Sequence, residues 1–371
     1  VQQRLAEIDR ISAQTSFNGT KILDGNFGTA SFQVGANVGE TIDLSIASGT
    51  RTSQIGQIAT GTSAAEVTVA PLTGSGTYAV GANSAVTVGA SVEGSAAGQS
   101  IGSAFSKAEA INAAGVSGLT VTATNTIELT AAATTGTASG DLYSLELNGT
   151  NIFASYDQEA NGVLTTQQIT DAVNAQTDNT GVTAVLNGAD LQLTAADGRD
   201  ISIGQDLGGS AGGGLSAGAG TVVDGVTYRA GSISTVALAN DGLSGATLTA
   251  AAVNGGTLTL SAEENIVVTG DGVINGFAAA GFTLAVDTTT LNSVDVTSVI
   301  NSNDAMKRID AALSSVSDLR STFGAIQNRF ESTVTSLATT SENLSAARSR
   351  ILDADFAAET ANLTRAQILQ Q

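Results

Sequence analysis

The groups in this sequence that could do chemistry are few, and they are mostly carboxylates. Pairs stand at Asp197/Asp200, Glu263/Glu264 and Asp353/Asp355. Two carboxyls at such spacing can divide acid and base roles when a shielded pocket pushes their pKa values apart. Here the pairs lie in turn-like or solvated stretches, so no catalytic residue is assigned. Gly270-Asp271-Gly272 and Asn240-Asp241-Gly242 hint at calcium but match neither the EF-hand loop nor a calcium-binding repeat, and they read as tight turns. The glycines of Gly208–Gly220 lack the strand–helix setting and the Lys-Ser/Thr of a phosphate loop. No metal, cofactor or catalytic site is expected.

Composition narrows the chemistry further. The 371 residues include no His, Cys or Trp, a single Met (Met306) and a single Pro (Pro71). Imidazole acid–base catalysis, thiol nucleophiles and Cys/His zinc sites are therefore excluded. A cysteine-free chain also fits passage across a membrane in the unfolded state without cross-linking. No stretch approaches the roughly 20 apolar residues that span a bilayer, so the chain is not expected to be integral to a membrane. It opens on Val1 without a signal peptide and stops at Gln371 within a running pattern, which reads as a piece trimmed at both ends.

The net charge of −20 is unevenly placed. Residues 1–58 carry five acids and four bases, residues 291–371 nine acids and seven bases, and the stretch between them 20 acids against three bases. Nearly neutral ends can pack closely, whereas an acidic middle repels its neighbours and stays hydrated. No basic stripe exists to displace counterions, so nucleic acid is not an expected partner.

Elements that would position these residues can be read from periodicity. Val1–Gln14 reads as the end of a helix with Leu5, Ile8 and Ile11/Ser12 on one side. Asn18-Gly19 and Asp24-Gly25 mark a loop. A hairpin follows, with Phe32 and Val34 in one strand, Ile42, Leu44 and Ile46 in the next, and Gly35–Glu40 as the turn. From about Ala59 to Thr290 short β-like runs dominate, with an internal repeat. Ala110-Ile111-Asn112-Ala113, Val121-Thr122-Ala123 and Ile127–Ala131 recur as Ala172-Val173-Asn174-Ala175, Val182-Thr183-Ala184 and Leu191–Ala195. Each copy, about 100–135 and about 145–205, is expected to be a short helix and two strands, followed by a flexible Gly-rich connection at 208–220.

A long amphipathic helix is expected after Asn303-Asp304, either of which could cap it. Its apolar residues Met306, Ile309, Leu313, Val316, Phe323, Ile326, Phe330, Val334, Leu337 and Leu344 step by threes and fours, with Leu319 beside them. That is a coiled-coil-like seam that needs extended packing. Leu5, Ile8, Leu313, Val316, Phe323, Ile326, Phe330, Val334 and Leu337 are the candidate packing residues.

Four stretches carry a family resemblance: QRLAEIDRISAQTSFNGTKILDG (Gln3–Gly25), FQVGANVGETIDL (Phe32–Leu44), LRSTFGAIQNRFESTVTSL (Leu319–Leu337) and ENLSAARSRILDADFAAETANLTRAQILQQ (Glu342–Gln371). In this the chain resembles bacterial flagellin, and Leu145–Thr150 looks like the start of a module found in flagellin and hook-associated inserts. The resemblance implies an α+β, elongated, multi-domain fold. A helical-bundle core domain with a β-hairpin is built from both chain ends (1–58 and 291–371), and β-rich variable outer domains are inserted at 59–290. It implies a structural subunit, not an enzyme, that is secreted, polymerises with other flagellin subunits into the extracellular filament and supports swimming motility. The flagellar export and capping machinery would be its other bacterial partners. A host Toll-like receptor recognises the family, and the matching receptor-facing positions are Arg4, Ile309, Leu313 and Arg329. The alternatives are a hook–filament junction paralogue and a surface adhesin or polysaccharide-binding homologue.

Overall fold

The computed structural model describes residues 1–34, 39–46, 49–136, 138–208, 212–218, 222–223, 226–227, 229–230, 234–235, 252–352 and 356–371. Down the chain, helix α1 (Gln2–Gln14) leads into the two-residue strands β1 (Ser16–Phe17) and β2 (Thr20–Lys21), then β3 (Gly28–Gln33) and β4 (Thr41–Ile46). Next come β5 (Ala59–Thr62), β6 (Thr77–Val80), β7 (Val86–Thr87), α2 (Ala104–Ala113) and the long β8 (Thr120–Thr135). They are followed by β9 (Leu142–Leu147), β10 (Thr150–Asp157), α3 (Gln158–Asn161), α4 (Thr166–Ala175), α5 (Thr177–Thr180), β11 (Thr183–Asn187), β12 (Asp190–Ala195), β13 (Ile201–Leu207) and β14 (Gly212–Ala217). Four two-residue strands, β15 (Val222–Val223), β16 (Val226–Thr227), β17 (Arg229–Ala230) and β18 (Ser234–Thr235), precede β19 (Ala252–Asn254), β20 (Thr257–Ala262), β21 (Ile266–Thr269) and β22 (Phe282–Leu284). Helices α6 (Val299–Leu352) and α7 (Phe356–Gln370) close the chain.

Two compact units result. One holds residues 1–56, 290–292 and 309–371; the other holds 57–289 and 293–308. In the first, β3 and β4 form the expected antiparallel pair, with Phe32 opposite Ile42 and Ala30 opposite Leu44. Part of its turn, residues 35–38, lies outside the described residues.

The second unit has two hydrophobic cores strung on β8. Val121 and Ala123 of β8 belong to a core with Tyr78, Val80, Ile111, Leu258, Leu260, Ile266 and Val268. Ile127, Leu129 and Ala131 of the same strand belong to another, with Tyr143, Leu145, Ile169, Val173, Leu191, Leu193 and Ile203. Strand alternation supplies both sets from one face. Between them Asn125 is buried, and its Nδ2 donates to the carbonyls of Arg199 (2.9 Å) and Asn254 (2.7 Å). The main sheet runs β11-β12-β8-β20-β5, with β14 and β17 also on β8. Helix α2 starts on Ser103, whose Oγ accepts from the Ser106 N–H, and α4 on a Thr165/Gln168 capping box.

Three expectations are corrected. The long helix begins at Val299, not after Asn303-Asp304, because Ser298 Oγ accepts the Asn301 N–H and caps it. Asp304 is inside the helix and pairs with Arg308 (2.7 Å). Residues 293–308 group with the second unit. Arg308 anchors them there through Asp287 (2.6 Å) and the Thr289 carbonyl (2.6 Å).

The first repeat copy does not make two strands: residues 120–135 run as one, since Thr124-Asn125-Thr126 lacks the Asn187-Gly188 turn of the second copy. Its neighbour is β20, whose stretch Val253-Asn254-Gly255-Gly256-Thr257-Leu258-Thr259-Leu260-Ser261-Ala262 matches Leu186-Asn187-Gly188-Ala189-Asp190-Leu191-Gln192-Leu193-Thr194-Ala195 in pattern. Lastly, part of the Gly-rich connection is strand β14. Gly214 has φ +73° and lies so close to Gln205 and Tyr143 that a Cβ would collide, while the Gln205 amide clasps Leu215 N–H (2.7 Å) and C=O (3.1 Å).

Candidate interaction surface

The first unit carries the residues singled out for packing, and α1 shows how they are held. Leu5 and Ser12 turn inward, while Ile8 and Ile11 on the same side stay exposed. Ser12 Oγ donates to the Leu23 carbonyl (2.7 Å), Thr50 Oγ1 donates to Ser12 Oγ (3.1 Å), and the Thr52 N–H donates to Asp9 Oδ1 (2.8 Å). These bonds fix the helix to the loops without closing its apolar side. On the opposite side Arg10 bonds Glu7 (2.6 Å) and Gln14 (2.7 Å). The hydrogen bond from Arg10 lowers the Glu7 pKa, and the same pairing raises that of Arg10.

Between α1 and the N-terminal half of α6 lies a cavity of about 580 Å³. Arg4, Leu5, Ile8, Ile309, Leu313, Val316 and Phe323 all line it, joined by Leu319 and Arg320. Three of the four receptor-facing candidates, Arg4, Ile309 and Leu313, therefore meet at one site. Leu23, Ile55 and Leu291 complete the wall. These three were not foreseen; Ile55 and Leu291 are aliphatics isolated among polar residues, and Leu23 follows Ile22 just before the Asp24-Gly25 turn, which is the signal that could have marked them.

A second opening of about 920 Å³ lies beside the hairpin. Phe323, Ile326 and Phe330 of α6 face Phe17, Ile22, Phe27, Phe32 and Leu44 across it. Phe330 meets Phe32 edge to face, with centroids 5.4 Å apart at 82°, a favoured aromatic geometry. Beyond Phe330 the stripe has no cover among the described residues. Val334 is 60% exposed, Leu337 41% and Leu344 65%. Arg329 is exposed and makes no ion pair among the described residues, apart from the other three receptor-facing positions. Helix α7 buries none of its residues, with Phe356, Leu363, Ile368 and Leu369 all exposed.

Chemistry of other kinds has little footing. Burial pushes the Asp197 pKa up, but its bonds from Arg199 (2.8 Å) and Gln99 (3.2 Å) together lower it. Asp200 accepts from Ser100, and burial raises its pKa. Each acid of that pair thus serves a separate structural bond. Glu263 and Glu264 are exposed. Asp353/Asp355 and Asn240-Asp241-Gly242 lie outside the described residues. Among the described residues no group of three or more acids could hold a metal ion. The buried Lys107, whose Nζ donates to the Thr68 (2.6 Å) and Ile274 (2.8 Å) carbonyls, was not foreseen; in sequence it is one lysine in an unremarkable helix.

A family model described as the bacterial flagellin C-terminal helical region matches residues 306–371. One described as the flagellin hook IN motif matches residues 144–197, from β9 through β12. A B-type flagellin of Pseudomonas aeruginosa is 33% identical over 391 residues, covering 100% of this chain and 72% of that protein. A flagellin of Salmonella typhimurium is 30% identical over 393 residues, with 100% and 72% covered. A solved structure of FliC from Burkholderia pseudomallei aligns with 23% of this chain and 34% of its own at 34% identity, with a TM-score of 0.15.

Proposed function

Because the chain belongs to the bacterial flagellin family, we propose that it is a subunit of the flagellar filament that self-assembles outside the cell after export and supports swimming. The observation that carries this is the uncovered apolar stripe of α6 and α7, from Val334 to Leu369. Covering a half-exposed Leu or Val contributes about 1–2 kcal/mol, so a row of them is a source of association energy. A surface of one copy that meets a different surface of the next does not close, and so builds a filament instead of a ring.

In this reading residues 1–58 and 291–371 are the two parts of the core domain, and 59–290 is the variable outer region, whose acidity keeps neighbouring copies apart and hydrated. Leu5, Ile8, Leu313, Val316, Phe323, Ile326, Phe330, Val334 and Leu337 pack the core or meet other subunits. The partners are further flagellin copies and the export and capping machinery. No helix among the described residues is long and apolar enough to cross a membrane. Arg4, Ile309, Leu313 and Arg329 are the proposed contacts with a Toll-like receptor; unchanged receptor activation by full-length protein carrying Arg4→Ala and Arg329→Ala would count against that. The adhesin alternative draws no support from the aromatics, since Tyr78 and Tyr143 are core residues. Nothing in the geometry favours the junction paralogue.

The test is complementation of a strain whose own filament genes are deleted, scored by electron microscopy and swimming. Filaments with the native gene, and none with Val334→Asp/Leu337→Asp, are expected. Secreted protein without filaments from the native gene would overturn the proposal.

A further inference from the structure

Six Asn-Gly pairs occur in the chain, at Asn18, Asn148, Asn161, Asn187, Asn254 and Asn275. The dipeptide is chemically labile. With no Cβ to obstruct it, the glycine nitrogen can attack the asparagine Cγ. The N–H proton and the side-chain nitrogen leave as ammonia, a cyclic imide closes, and water opens it at either carbonyl to give aspartate or isoaspartate. Water is the sole co-reactant.

The structure sorts these six identical pairs by what holds the carboxamide. Asn148 is buried, donating to the Thr180 carbonyl (3.0 Å) and accepting from the Ser202 N–H (2.7 Å). Asn254 is buried and donates to the Ile201 carbonyl (3.1 Å). Asn275 is buried and donates to Tyr78 Oη (2.6 Å). Asn161 is exposed, yet its Nδ2 donates to the Asp157 carbonyl (2.9 Å). Asn18 and Asn187 are exposed, and among the described residues neither carboxamide has a hydrogen-bond partner.

We propose that Asn18 and Asn187 are sites of spontaneous deamidation in the folded protein, and that the other four Asn-Gly pairs are protected by the bonds on their carboxamides. At Asn18 the product places a new carboxylate at the rim of the apolar opening that Phe17, Phe32 and Phe330 line. Isoaspartate there also adds a main-chain carbon to the two-residue turn between β1 and β2, where Phe17 pairs with Thr20. At Asn187 the new charge stands directly across the pair from Asp190. The modification would thus add acid to the outer strands and a charge to an otherwise apolar contact surface.

The experiment is prolonged incubation of the folded full chain in mildly alkaline buffer, with amide loss followed site by site by peptide mass mapping. Asn18 is read in the tryptic peptide Ile11–Lys21, and the other sites after digestion with further proteases. Breaking one or two hydrogen bonds of about 1 kcal/mol each before reaction slows it by roughly fivefold to thirtyfold. Asn18 and Asn187 are therefore expected to convert at least roughly fivefold faster than Asn148, Asn161, Asn254 and Asn275, and the six should converge in concentrated urea. Asn161 separates the carboxamide bond from mere exposure: if it keeps pace with Asn18, the proposal is overturned. Equal rates at all sites in the folded chain, or an intact Asn18 and Asn187, would overturn it too. Asn18→Gln should silence the conversion in its peptide and leave Asn187 unchanged; persistent conversion there would assign the signal to Gln14 and against the proposal.

Discussion

Lys107 offers the sharpest test of how the second unit is held. Its side chain is fully buried, and its Nζ bonds two backbone carbonyls from segments far apart in the chain. Burial pushes its pKa down from the ordinary 10.5 to about 8, partly opposed by the facing carboxylates Asp200 and Asp271, both raised by burial. Between these two pH values the unfolded chain holds a proton that the folded chain has released, so stability must rise with pH. Integrating from about pH 7 to about pH 9.5 gives about 2 kcal/mol. For a urea slope of roughly 3 kcal/mol per M, that moves the unfolding midpoint upward by about 0.7 M.

The window is unusually clean because the chain lacks His and Cys, the side chains that ordinarily titrate there. It closes above about pH 10, where unfolded tyrosine ionises. Burial raises Tyr78 and Tyr143 well above their ordinary value in the folded chain, which lowers stability from that point up. All four tyrosines fall within residues 57–289 of the sequence, the described ones (Tyr78, Tyr143 and Tyr156) in the second unit, and there is no tryptophan, so tyrosine fluorescence reports on that part of the chain. Lys107→Met should flatten the pH dependence. Lys107→Arg, which keeps the charge throughout the window, should flatten it too if Met unfolds the unit. A midpoint that rises equally in the native chain and in a folded variant would refute the assignment to Lys107.

Three further outcomes can be stated. Arg308→Ala leaves Asp287 and the Thr289 carbonyl without their partner and should cost about 3 kcal/mol in the same fluorescence assay. Although burial pushes Asp287 upward, Arg308 holds its pKa below the ordinary value. That contribution is present above the unfolded pKa and lost as pH falls through the folded one, so the variant should also lose part of the native chain's acid sensitivity. Asn112→Ala and Asn174→Ala each remove a two-way amide clasp, to Val121 (2.8 and 3.0 Å) and Ala184 (2.8 and 2.7 Å) respectively. Each should cost about 1–3 kcal/mol in urea unfolding, and a neutral result at both would mean the clasps hold nothing. Phe330→Ala removes the ring against Phe32 and should destabilise the hairpin by roughly 2 kcal/mol; unchanged amide exchange across Gly28–Gln33 and Thr41–Ile46 would contradict this.

What was legible in the sequence is what depends on neighbours along the chain. The stripe from Ile309 to Leu337 keeps helical spacing, and its residues line up along α6. The hairpin alternation set Phe32 against Ile42 because a slip by one residue would turn every side chain to the other face. The start of α6 was misplaced because Asn303 and Asp304 are good caps by type, while Ser298 holds that role through its bond to Asn301. Strand β14 was hidden because glycine carries no periodic signal; the clasp that recruits it comes from Gln205, on another strand. Of the residues lining the cavity, the sequence singled out those on α1 and α6 but not the wall supplied by Leu23, Ile55 and Leu291, which only the fold brings there.

The repeat shows where the boundary between local and distant information falls. Asn112 and Asn174 sit at matching places in the two copies, and each clasps the strand that follows its own helix. That bond closes over a short span, so similar local sequence reproduces it. The strand that pairs next is decided otherwise. In the second copy, Asn187-Gly188 turns the chain back and β12 takes the place beside β11. In the first, no glycine interrupts Thr124-Asn125-Thr126, and β8 continues into the second core. The vacant place beside its first half is taken by β20, which carries the same Asn-Gly and alternating leucine pattern. The second copy therefore lies, in sequence, within the interrupted hairpin of the first. The glycine that permits a turn in one copy and its absence in the other decide whether the module closes on itself or opens to accept an insert.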